Sequence, residues 1–447
     1  MLEWCISERR ERTVKVKTVD WTPGDRGGTV AAFLSRPAFD AAAEVAAAKV
    51  LAAVRKDGEK AVLRCARKFD GVTLRPGQLR VGRPELEEAR QQVDRDLRRS
   101  AQETRRRVAA FARAGMKKDW SMASPRGGRL GERFSPLGRV GVYIPGGAAP
   151  LASTVLMTVT LAQVAGVPEI VACTPCDEQG RISPALLYAL DLAGATEIYR
   201  VGGIQAIGLM AYGTRTVRPV DKIVGPGGPY VTAAKRQVYG HVALDLVAGP
   251  SEIAVLADES ADPRHVAVAL LSQAEHGTGH EKALLVTTSR KLAARVAKAL
   301  AAEAATLSTR DSVQRVADRG GILLVVVRNL DEGVELCNRF APEHLEVMVD
   351  RPSSCLPAIR HAGAIFLGKW TPESAGDFAA GPSHVLPTGG AARMFSGLTV
   401  DDFRKRSSVM ALTQADLREI LPVIETFGRV EGLDAHARSA RVRFETR

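Results

Sequence analysis

Residues 140–147, Val-Gly-Val-Tyr-Ile-Pro-Gly-Gly, are a short apolar run that ends in a Pro-Gly-Gly turn, and a helical pattern follows over 151–165. From there to residue 367 strand and helix patterns alternate, which predicts βαβ units and parallel sheets. The predicted strands cover residues 169–173, 197–201, 222–224, 252–256, 283–287, 321–327, 345–349 and 364–367. A break at Ala248-Gly249-Pro250 divides the pattern into two α/β units, and we expect ligands in the crevice between them.

The segments outside this alternation differ in character. Residues 1–36 are charged and irregular, and we expect an N-terminal arm rather than a core element. Apolar residues at helical spacing predict a helix over Asp40–Lys56 and one longer helix over Pro84–Arg113. Residues 370–397 are rich in Gly, Pro, Ser and Thr and predict a long loop with a function. The tail, 400–447, is predicted to be helical.

Composition limits the classes of protein to consider. The 447 residues are 45% hydrophobic and 25% charged, as in a soluble globular protein of several domains. There is no signal-peptide pattern and no apolar run of membrane-spanning length, so we expect a cytoplasmic protein without a membrane partner. Six scattered cysteines agree with reduced thiols in a cytosol. Cys173 and Cys176 have CxxC spacing, which fits a redox pair, half a zinc site or, as we favour, a purely structural role.

Positive charge raises the possibility of a nucleic-acid partner. The net charge is +12, and residues 64–133 contain 19 Lys and Arg against 9 Asp and Glu. A basic surface of this kind can bind phosphates. Acidic and basic residues are nevertheless interleaved within 84–113, which favours pairs along a solvated helical face. We therefore expect no nucleic acid, and keep it as an alternative.

One candidate site is Ser272-Gln273-Ala274-Glu275-His276-Gly277. It closes a predicted helix for which Asp262 suits the N-cap and Pro263 the first position. Gln273 and His276 are three residues apart and share a face, so they can supply half of a zinc shell. The same stretch also fits a plain helix end, capped by His276 and stopped by Gly277.

Three further candidates carry titratable side chains. Glu343-His344 lies at a helix-to-strand turn and combines a general base with a carboxylate able to activate water. Asp377, in the Gly-rich loop, fits an acidic metal ligand or an Asx-turn. His436 lies in the charged tail helix. Taken alone, each is also explained by a surface or capping role.

Two loops resemble phosphate-binding turns: 144–147 and Gly225-Pro226-Gly227-Gly228-Pro229. Each follows a predicted strand and precedes a helix, so backbone N–H groups could face an anion. Neither is a GxGxxG motif. Neither is followed, about 20 positions on, by an acidic residue that would bind a ribose hydroxyl.

Together, several motifs in order resemble the histidinol dehydrogenase family, from about Arg36 to the tail. They are Arg36-Pro37-Ala38-Phe39-Asp40, Phe69-Asp70-Gly71-Val72, residues 136–147, residues 201–207, residues 221–227, Ala248-Gly249-Pro250-Ser251-Glu252, residues 272–277, Ala341-Pro342-Glu343-His344-Leu345-Glu346, residues 381–390 and Glu431–His436.

The resemblance implies two successive NAD-dependent oxidations of L-histidinol to L-histidine through L-histidinal, the last step of histidine biosynthesis. It implies the catalytic residues Glu343 and His344. It implies one zinc per subunit, bound by Gln273, His276, Asp377 and, from the other subunit of a homodimer, His436. Substrate contacts are implied for Ser251, Gln273, His276, His344, Asp377, His384, Glu431 and His436. NAD contacts are implied for Tyr143, Gln205 and Gly228.

The implied fold is α/β, with two incomplete Rossmann-like domains, small helical terminal segments and an intertwined homodimer. The expected division is an arm over 1–36, a first domain over 37–141 plus 252–398, an NAD-side domain over 142–251 and a tail over 399–447. The tail is expected to contribute to the site of the partner subunit.

One position departs from the family pattern. Gly228 stands where the family usually has Asn, so the side-chain amide that would contact NAD is missing. We expect altered NAD binding, and two alternatives remain open at this point. One is a related zinc- and NAD-dependent dehydrogenase of another small polar alcohol, and the other is a non-catalytic homologue.

Overall fold

The computed structural model describes residues 14–35, 39–146, 150–247 and 249–445. Cys5, Gly147, Ala248 and the motif residues 36–38 lie outside this part of the chain. The strands are β1 (Lys17–Asp20), β2 (Trp120–Ala123), β3 (Arg129–Pro136), β4 (Arg139–Tyr143), β5 (Glu169–Thr174), β6 (Glu197–Arg200), β7 (Lys222–Val224), β8 (Ala243–Leu244), β9 (Glu252–Ala257), β10 (Lys282–Thr287), β11 (Ile322–Val326), β12 (His344–Met348), β13 (Ala364–Leu367) and β14 (Arg404–Ala411).

The helices alternate with these strands through most of the chain. They are α1 (Gly28–Leu34), α2 (Ala41–Asp57), α3 (Glu59–Cys65), α4 (Arg83–Gln92), α5 (Arg95–Gly115), α6 (Ala152–Ala165), α7 (Pro184–Ala193), α8 (Gly203–Tyr212), α9 (Pro229–Val238), α10 (Pro263–Ala274), α11 (Arg290–Ala304), α12 (Arg310–Asp318), α13 (Leu330–Phe340), α14 (Glu373–Phe378), α15 (Gln414–Val430) and α16 (Asp434–Arg441).

The larger sheet has six parallel strands in the order β1-β11-β10-β9-β12-β13. Every residue of β9 and of β12 is buried. Such continuous burial requires cover on both faces, as expected of parallel strands. Helices α10 and α11 pack on one face, and α1 and α13 on the other. The predicted alternation of strands and helices is confirmed here.

The smaller sheet has five parallel strands in the order β6-β5-β4-β7-β8. Helices α5, α6 and α7 cover one face, and α2, α8 and α9 cover the other. Helix α6 is apolar almost all round, which fits a helix enclosed by α5, α7 and the sheet. The sheet order reverses between β4 and β7, and ligands of open α/β sheets bind at such a point.

The helical first third of the chain packs on the smaller sheet. Ala47 and Val54 of α2, and Ala101 and Val108 of α5, are buried against the five-stranded sheet. The expected division, which groups residues 37–141 with 252–398, stays a prediction. The predicted single helix over 84–113 was wrong, because it breaks at Val93-Asp94. Asp94 caps α5 by accepting a hydrogen bond from the Leu97 N–H at 2.7 Å.

Part of the expected N-terminal arm is a core element. Strand β1 pairs with β11 at the edge of the larger sheet. Trp21, Val30 and Phe33 are 2%, 5% and 7% exposed and join its core. The prediction that 1–36 lies outside the core was therefore wrong for residues 17–34. A strand of four residues is too short to give a recognisable alternation.

A third, antiparallel sheet joins the tail to a hairpin, in the order β14-β3-β2. Residues 404–411 were predicted to be helical and are instead strand β14. Asp416 forms a capping box with Thr413, the N-cap of α15, and accepts hydrogen bonds from Ser124 Oγ at 2.7 Å, Arg126 N at 2.9 Å and Gly128 N at 3.0 Å. These bonds fix the tail helix to the hairpin. Within the described chain, no helix is both long and apolar enough to span a membrane.

The Gly-rich segment 370–397 is ordered. It contains α14 and a 3₁₀ turn over Ala391–Arg393. Val385 and Leu386 are 3% and 7% exposed. Val385 belongs to the core of the five-stranded sheet. The segment therefore passes from the six-stranded sheet to the five-stranded one.

Candidate active site

Helix α10 ends where the strands of the larger sheet begin. It connects β9 to the parallel β10, so it must run antiparallel to both. Asp262 caps it, accepting from the Arg264 N–H at 2.8 Å, and Gly277 leaves it at a φ of 85°. Gln273, in the last turn, is completely buried, and neither its Nε2 nor its Oε1 has a hydrogen-bond partner in the described chain. A buried amide without partners is costly, which indicates that it binds a ligand.

Glu343 and His344 stand at the same edge of the sheet. Ala341, which ends α13, has a φ of 49° and is the one non-glycine residue of the described ranges at positive φ. Strained backbone of this kind is concentrated at functional sites. It turns the chain into β12, where His344 pairs with Ile253 of β9.

The two side chains are buried and in contact with the amino end of β9. The Glu252 N–H donates to Glu343 Oε2 at 3.1 Å. His344 Nδ1 lies 3.8 Å from Glu343 Oε2 and 3.3 Å from the Glu252 carbonyl oxygen. His344 Nε2 lies 3.3 Å from Asp377 Oδ1. The imidazole is thus held between two carboxylates.

Burial and charge move the pKa values of this pair. Burial raises the pKa of Glu343 to about 8. For His344 burial lowers the pKa, but the charges of Glu343 and Asp377 outweigh it and raise the pKa to about 9. Both pKa values are therefore displaced upward, and perturbed pKa values of this kind are concentrated at sites of acid–base catalysis.

Asp377 and His384, both in the Gly-rich segment 370–397, complete this group of side chains. His384 Nδ1 lies 2.9 Å from the Asp377 carbonyl oxygen, and its Nε2 lies 3.0 Å from Thr154 Oγ1 of α6. Nδ1 therefore carries the proton, because a carbonyl oxygen only accepts. Burial raises the pKa of Asp377, but the hydrogen bond to His344 and the charges of His384 and His276 outweigh it, so the pKa is lowered. His276 thus lies within electrostatic range of the carboxylate.

The same segment bonds to both sheets. Ser383 Oγ donates to the Met157 carbonyl oxygen at 3.0 Å, in α6 beside the smaller sheet. The Gly389 N–H donates to Glu252 Oε2 at 3.1 Å, at the start of β9. The Gly249 N–H donates to Thr388 Oγ1.

A second group of residues lies at the carboxyl ends of β4 and β7. The Tyr143 hydroxyl accepts from the Gly203 N–H at 3.1 Å, and Gln205 Nε2 donates to Asp70 Oδ2 at 3.4 Å. Gly225 packs so closely that a Cβ would lie 2.2 Å from the Tyr143 carbonyl oxygen. Gly228 is the exposed N-cap of α9.

A cavity of about 770 Å³ opens at this edge. Its lining includes Asp70, Gly146, Thr174, Pro175 and Cys176. The cavity lies at the carboxyl end of β5, next to β4, and the carboxylates of Asp70, Glu85, Glu88 and Asp177 are among its lining groups.

The family model described as histidinol dehydrogenase matches residues 35–444. The chain belongs to the histidinol dehydrogenase family. It is 46% identical to the histidinol dehydrogenase of Gluconobacter oxydans (strain 621H), over 89% of this chain and 91% of that protein. It is 45% identical to that of Geobacillus kaustophilus (strain HTA426), over 89% and 92%. The crystal structure of histidinol dehydrogenase from Elizabethkingia anophelis has a TM-score of 0.91, with 34% identity over 97% of this chain and 98% of that one.

As a member of the histidinol dehydrogenase family, the protein is an NAD-dependent oxidoreductase of histidine biosynthesis. Its fold is the α/β fold with parallel sheets of that crystal structure. The structure brings together five residues that the resemblance implied. They are His276, Glu343, His344, Asp377 and His384. Gln273 is buried in the last turn of α10, next to Ser272, which bonds Glu373 of α14. Ser251 is half-buried next to Glu252 at the same edge.

Two implied histidinol dehydrogenase residues stand apart from this group. Glu431 and His436 are exposed on the tail, where α16 packs against α15. In the part of the chain that the structure describes, no group of three His, Cys, Asp or Glu side chains can hold a metal ion. The unpaired amide of Gln273 and the nearby His276 and Asp377 nevertheless fit a zinc shell of N and O donors that lacks one ligand.

Two further buried carboxylates support the site and were not among the predicted residues. Ser272 Oγ donates to Glu373 Oε2, and the Glu373 N–H donates to Glu346 Oε1 at 2.6 Å. Burial raises the pKa of Glu373 to about 6 and that of Glu346 to about 7. The sequence does indicate a buried carboxylate at Glu346, because this residue lies between Leu345 and Val347 in an otherwise apolar strand.

The described cysteines are all free thiols: Cys65, Cys173, Cys176, Cys337 and Cys355. Burial raises the pKa of Cys173 to about 12 and that of Cys176 to about 11. Neither thiol of the CxxC pair therefore ionises at neutral pH, which agrees with a structural role for it.

Proposed function

We propose that the protein oxidises L-histidinol to L-histidine through L-histidinal in two successive steps, each of which reduces one NAD. The observation that carries this proposal is the buried Glu343–His344 pair, in contact with Asp377 and at the sheet edge where Gln273 has an unpaired amide. One acid–base pair beside one site for polar groups suits two oxidations of a single bound substrate.

The substrate is held by zinc and by side chains. Gln273, His276, Asp377 and His436 from a second copy of the chain would bind one zinc ion. When bound, the metal supplies a Lewis acid that takes the imidazole and amine nitrogens of the substrate. Ser251, His384 and Glu431, the last also from the second copy, would contact the substrate directly.

The proton transfers are assigned to the buried pair. In the first oxidation His344 takes the hydroxyl proton of the alcohol as its carbon gives up a hydride. In the second oxidation Glu343 takes a proton from the water that adds to the aldehyde, and the hydrated carbon gives up the second hydride. NAD supplies the hydride acceptor in both, so one water and two NAD are consumed for each histidine formed.

The cofactor would lie at the carboxyl edge of the smaller sheet. Tyr143 and Gln205 form its wall, and backbone groups of the loop that ends at Gly228 face it. This places the cofactor across the crevice from His344, with the substrate between the two sheets. Residues 142–251 would then form the NAD-side domain, together with the start of β4 and the helices that pack on its sheet.

A homodimer is proposed because the tail presents an apolar surface. The exposed apolar side chains of this surface are Trp120, Met122, Val409, Met410, Val423, Phe427 and Val430. An exposed apolar surface of this size is typical of an interface. A second copy, related by two-fold symmetry, would cover it and bring His436 to the partner's zinc site. The free thiols support a cytoplasmic location.

The test is an assay of purified protein with zinc, NAD and L-histidinol. We expect two NADH per L-histidine formed. Absence of NADH from L-histidinol, with NADH from another amino alcohol in the same panel, would assign the protein to a different substrate. Absence of NADH from every alcohol would contradict an enzymatic role.

A further inference from the structure

The loop after β7 is held by a buried ion pair that the proposed chemistry does not use. Lys235 and Asp245 each have 2% of their side chains exposed, and Lys235 Nζ lies 2.5 Å from Asp245 Oδ1. Lys235 is on α9 and Asp245 follows β8. They enclose the start of the loop from two sides.

Both ions bond the same residue of the backbone. Lys235 Nζ donates to the Gly225 carbonyl oxygen at 2.8 Å, and the Gly225 N–H donates to Asp245 Oδ2 at 2.7 Å. The Leu246 N–H donates to Asp245 Oδ1 at 2.7 Å. The two backbone polar groups of Gly225 are therefore both bound by the ion pair.

Only glycine fits at position 225. Its φ is 113°, and a Cβ there would meet the Tyr143 carbonyl oxygen. The loop thus starts in contact with the end of β4, beside a predicted cofactor contact. Any rotation of the Gly225 peptides would redirect the next three residues toward or away from that cofactor.

The attraction between the two charges does not by itself explain the pair. Removing two charges from water costs free energy that their attraction returns only in part, so apolar side chains of similar size could replace the charges themselves. The core beside α9, which includes Val231 and Val238, is apolar. What an apolar pair cannot supply is the donor and the acceptor that fix the orientation of Gly225.

The far end of the loop is held by neutral groups. Thr232 Oγ1 donates to the Gly227 carbonyl oxygen at 3.3 Å, and Gly228 is the N-cap of α9, where no side chain of the described residues caps the helix. The first turn of α9 contains Pro229, which has no N–H to offer a ligand. The shorter hydrogen bonds, made by charged groups, are at the Gly225 end, so this end restrains the direction of the loop more strongly.

We infer that Lys235 and Asp245 are positioning residues for NAD: by holding both polar groups of Gly225 they aim the backbone of residues 225–228 at the cofactor. This inference rests on the proposed NAD site. It assigns no chemical step to either residue.

The experiment compares the wild type with the double variant Lys235→Met/Asp245→Leu, which replaces the ion pair by apolar groups. We expect a lower melting temperature, because the N–H and carbonyl groups of Gly225 and the N–H of Leu246 lose their partners. Zinc content and the KM for L-histidinol should be unchanged, and NAD binding should be weaker by about 10-fold in calorimetry. We also expect faster hydrogen exchange at the Gly225 N–H. Unchanged NAD binding, or a parallel rise in the KM values for NAD and for L-histidinol, would overturn the inference.

The matched control is Arg139→Met/Glu197→Leu, which removes a partly buried ion pair at the opposite edge of the same sheet. It should leave NAD binding unchanged, and a loss equal to that of the first variant would count against a specific role.

A second pair of variants applies if Lys235→Met/Asp245→Leu does not fold. Lys235→Gln/Asp245→Asn keeps neutral hydrogen-bonding groups and should bind NAD better than Lys235→Met alone. Equal binding by these two variants would overturn the inference. Since calorimetry measures NAD without L-histidinol, a wild type that binds NAD but does not oxidise L-histidinol would contradict the proposed function and leave this test valid.

Discussion

The surroundings of Glu343, rather than its being a carboxylate, make it a candidate for catalysis. It is 7% exposed just before β12, and its carboxylate accepts from the Glu252 N–H and lies 3.8 Å from the adjacent imidazole. Its proposed role is confined to the aldehyde stage. Because it is not a zinc ligand in this proposal, its loss should leave the metal site unchanged.

We therefore expect Glu343→Gln to retain zinc and to form L-histidinal from L-histidinol, but to oxidise the aldehyde at least about 100-fold more slowly. Metal content and rapid-quench analysis of the intermediates measure both properties. His276→Ala is the comparison, and it should lose zinc and substrate affinity together. Equal loss of zinc in both variants would contradict the assignment of roles.

The pKa of Glu343 also predicts a pH dependence. A carboxylate accepts a proton only after it has lost its own, and burial raises the pKa of Glu343 to about 8. The oxidation of L-histidinal should therefore be fastest above about pH 8 and fall as the pH decreases through that value. NADH formation from L-histidinal across this range measures the profile. Glu343→Gln should lack this limb, and the same limb in that variant would assign it to another group.

Gly228 permits a gain-of-function test. A Cβ at this position meets nothing within 4 Å, and its φ of −69° suits any L residue. Gly228→Asn should cap α9 and offer an amide to NAD, lowering the KM for NAD by about 2- to 10-fold. Steady-state kinetics with varied NAD measure this. Gly115→Asn, also in open space, is the control, and an unchanged KM in Gly228→Asn would mean that the amide does not reach the cofactor.

At the scale of elements, the last turn of α10 contains a proposed zinc ligand whose burial lowers the stability of the protein. The unpaired amide of Gln273 is buried in the core, where an apolar side chain of the same shape would be more stable. Gln273→Leu should therefore stabilise the zinc-free protein by about 1 kcal/mol while weakening zinc binding. Denaturant unfolding after chelation measures the change in stability, and metal titration measures the change in zinc binding. Gln163→Leu, on an exposed position of α6, should change neither.

The elements that could be predicted from the sequence are those whose burial is uniform. Strands β9, β10 and β11 are apolar apart from the terminal residues Glu252, Lys282 and Thr287. Asp262-Pro263 gave the start of α10 correctly. Strand β14 was missed because all eight residues are polar or exposed in the chain, so no alternation marks its faces. The break between α4 and α5 could not be predicted, because Asp94, the N-cap of α5, is one of several acidic residues in a segment with a helical pattern.

At the scale of the molecule, the tail predicts exchange of residues between subunits. His436 and Glu431 are exposed on the tail, whereas the other proposed zinc ligands are at the sheet edge. Mixed dimers of His276→Ala and His436→Ala should then contain one complete site each. Refolding the two variants together should restore about a quarter of wild-type activity. Each variant refolded alone is the control, and no recovery in the mixture would contradict a shared site.

The composition of the site was predictable only from the order of many motifs. Gln273, Asp377 and His344 are far apart in sequence, and each has a plain structural explanation when taken alone. Topology brings them together, because α10 and β12 both reach the edge where β9 begins. The contribution of Glu373 and Glu346 depends on side-chain contacts across this edge, which spacing along the chain does not reveal.

The bonds from residues 383–389 to α6 on one side and to β9 on the other have a consequence for the order of events. These bonds, from Ser383 to Met157 and from Gly389 to Glu252, oppose a hinge motion that would open the crevice. Under the proposed function, we therefore expect the space for the aldehyde to keep its width between the two half-reactions. We expect spent coenzyme to leave along the edge of the smaller sheet while the aldehyde stays enclosed, so that a reactive intermediate is not released during coenzyme exchange.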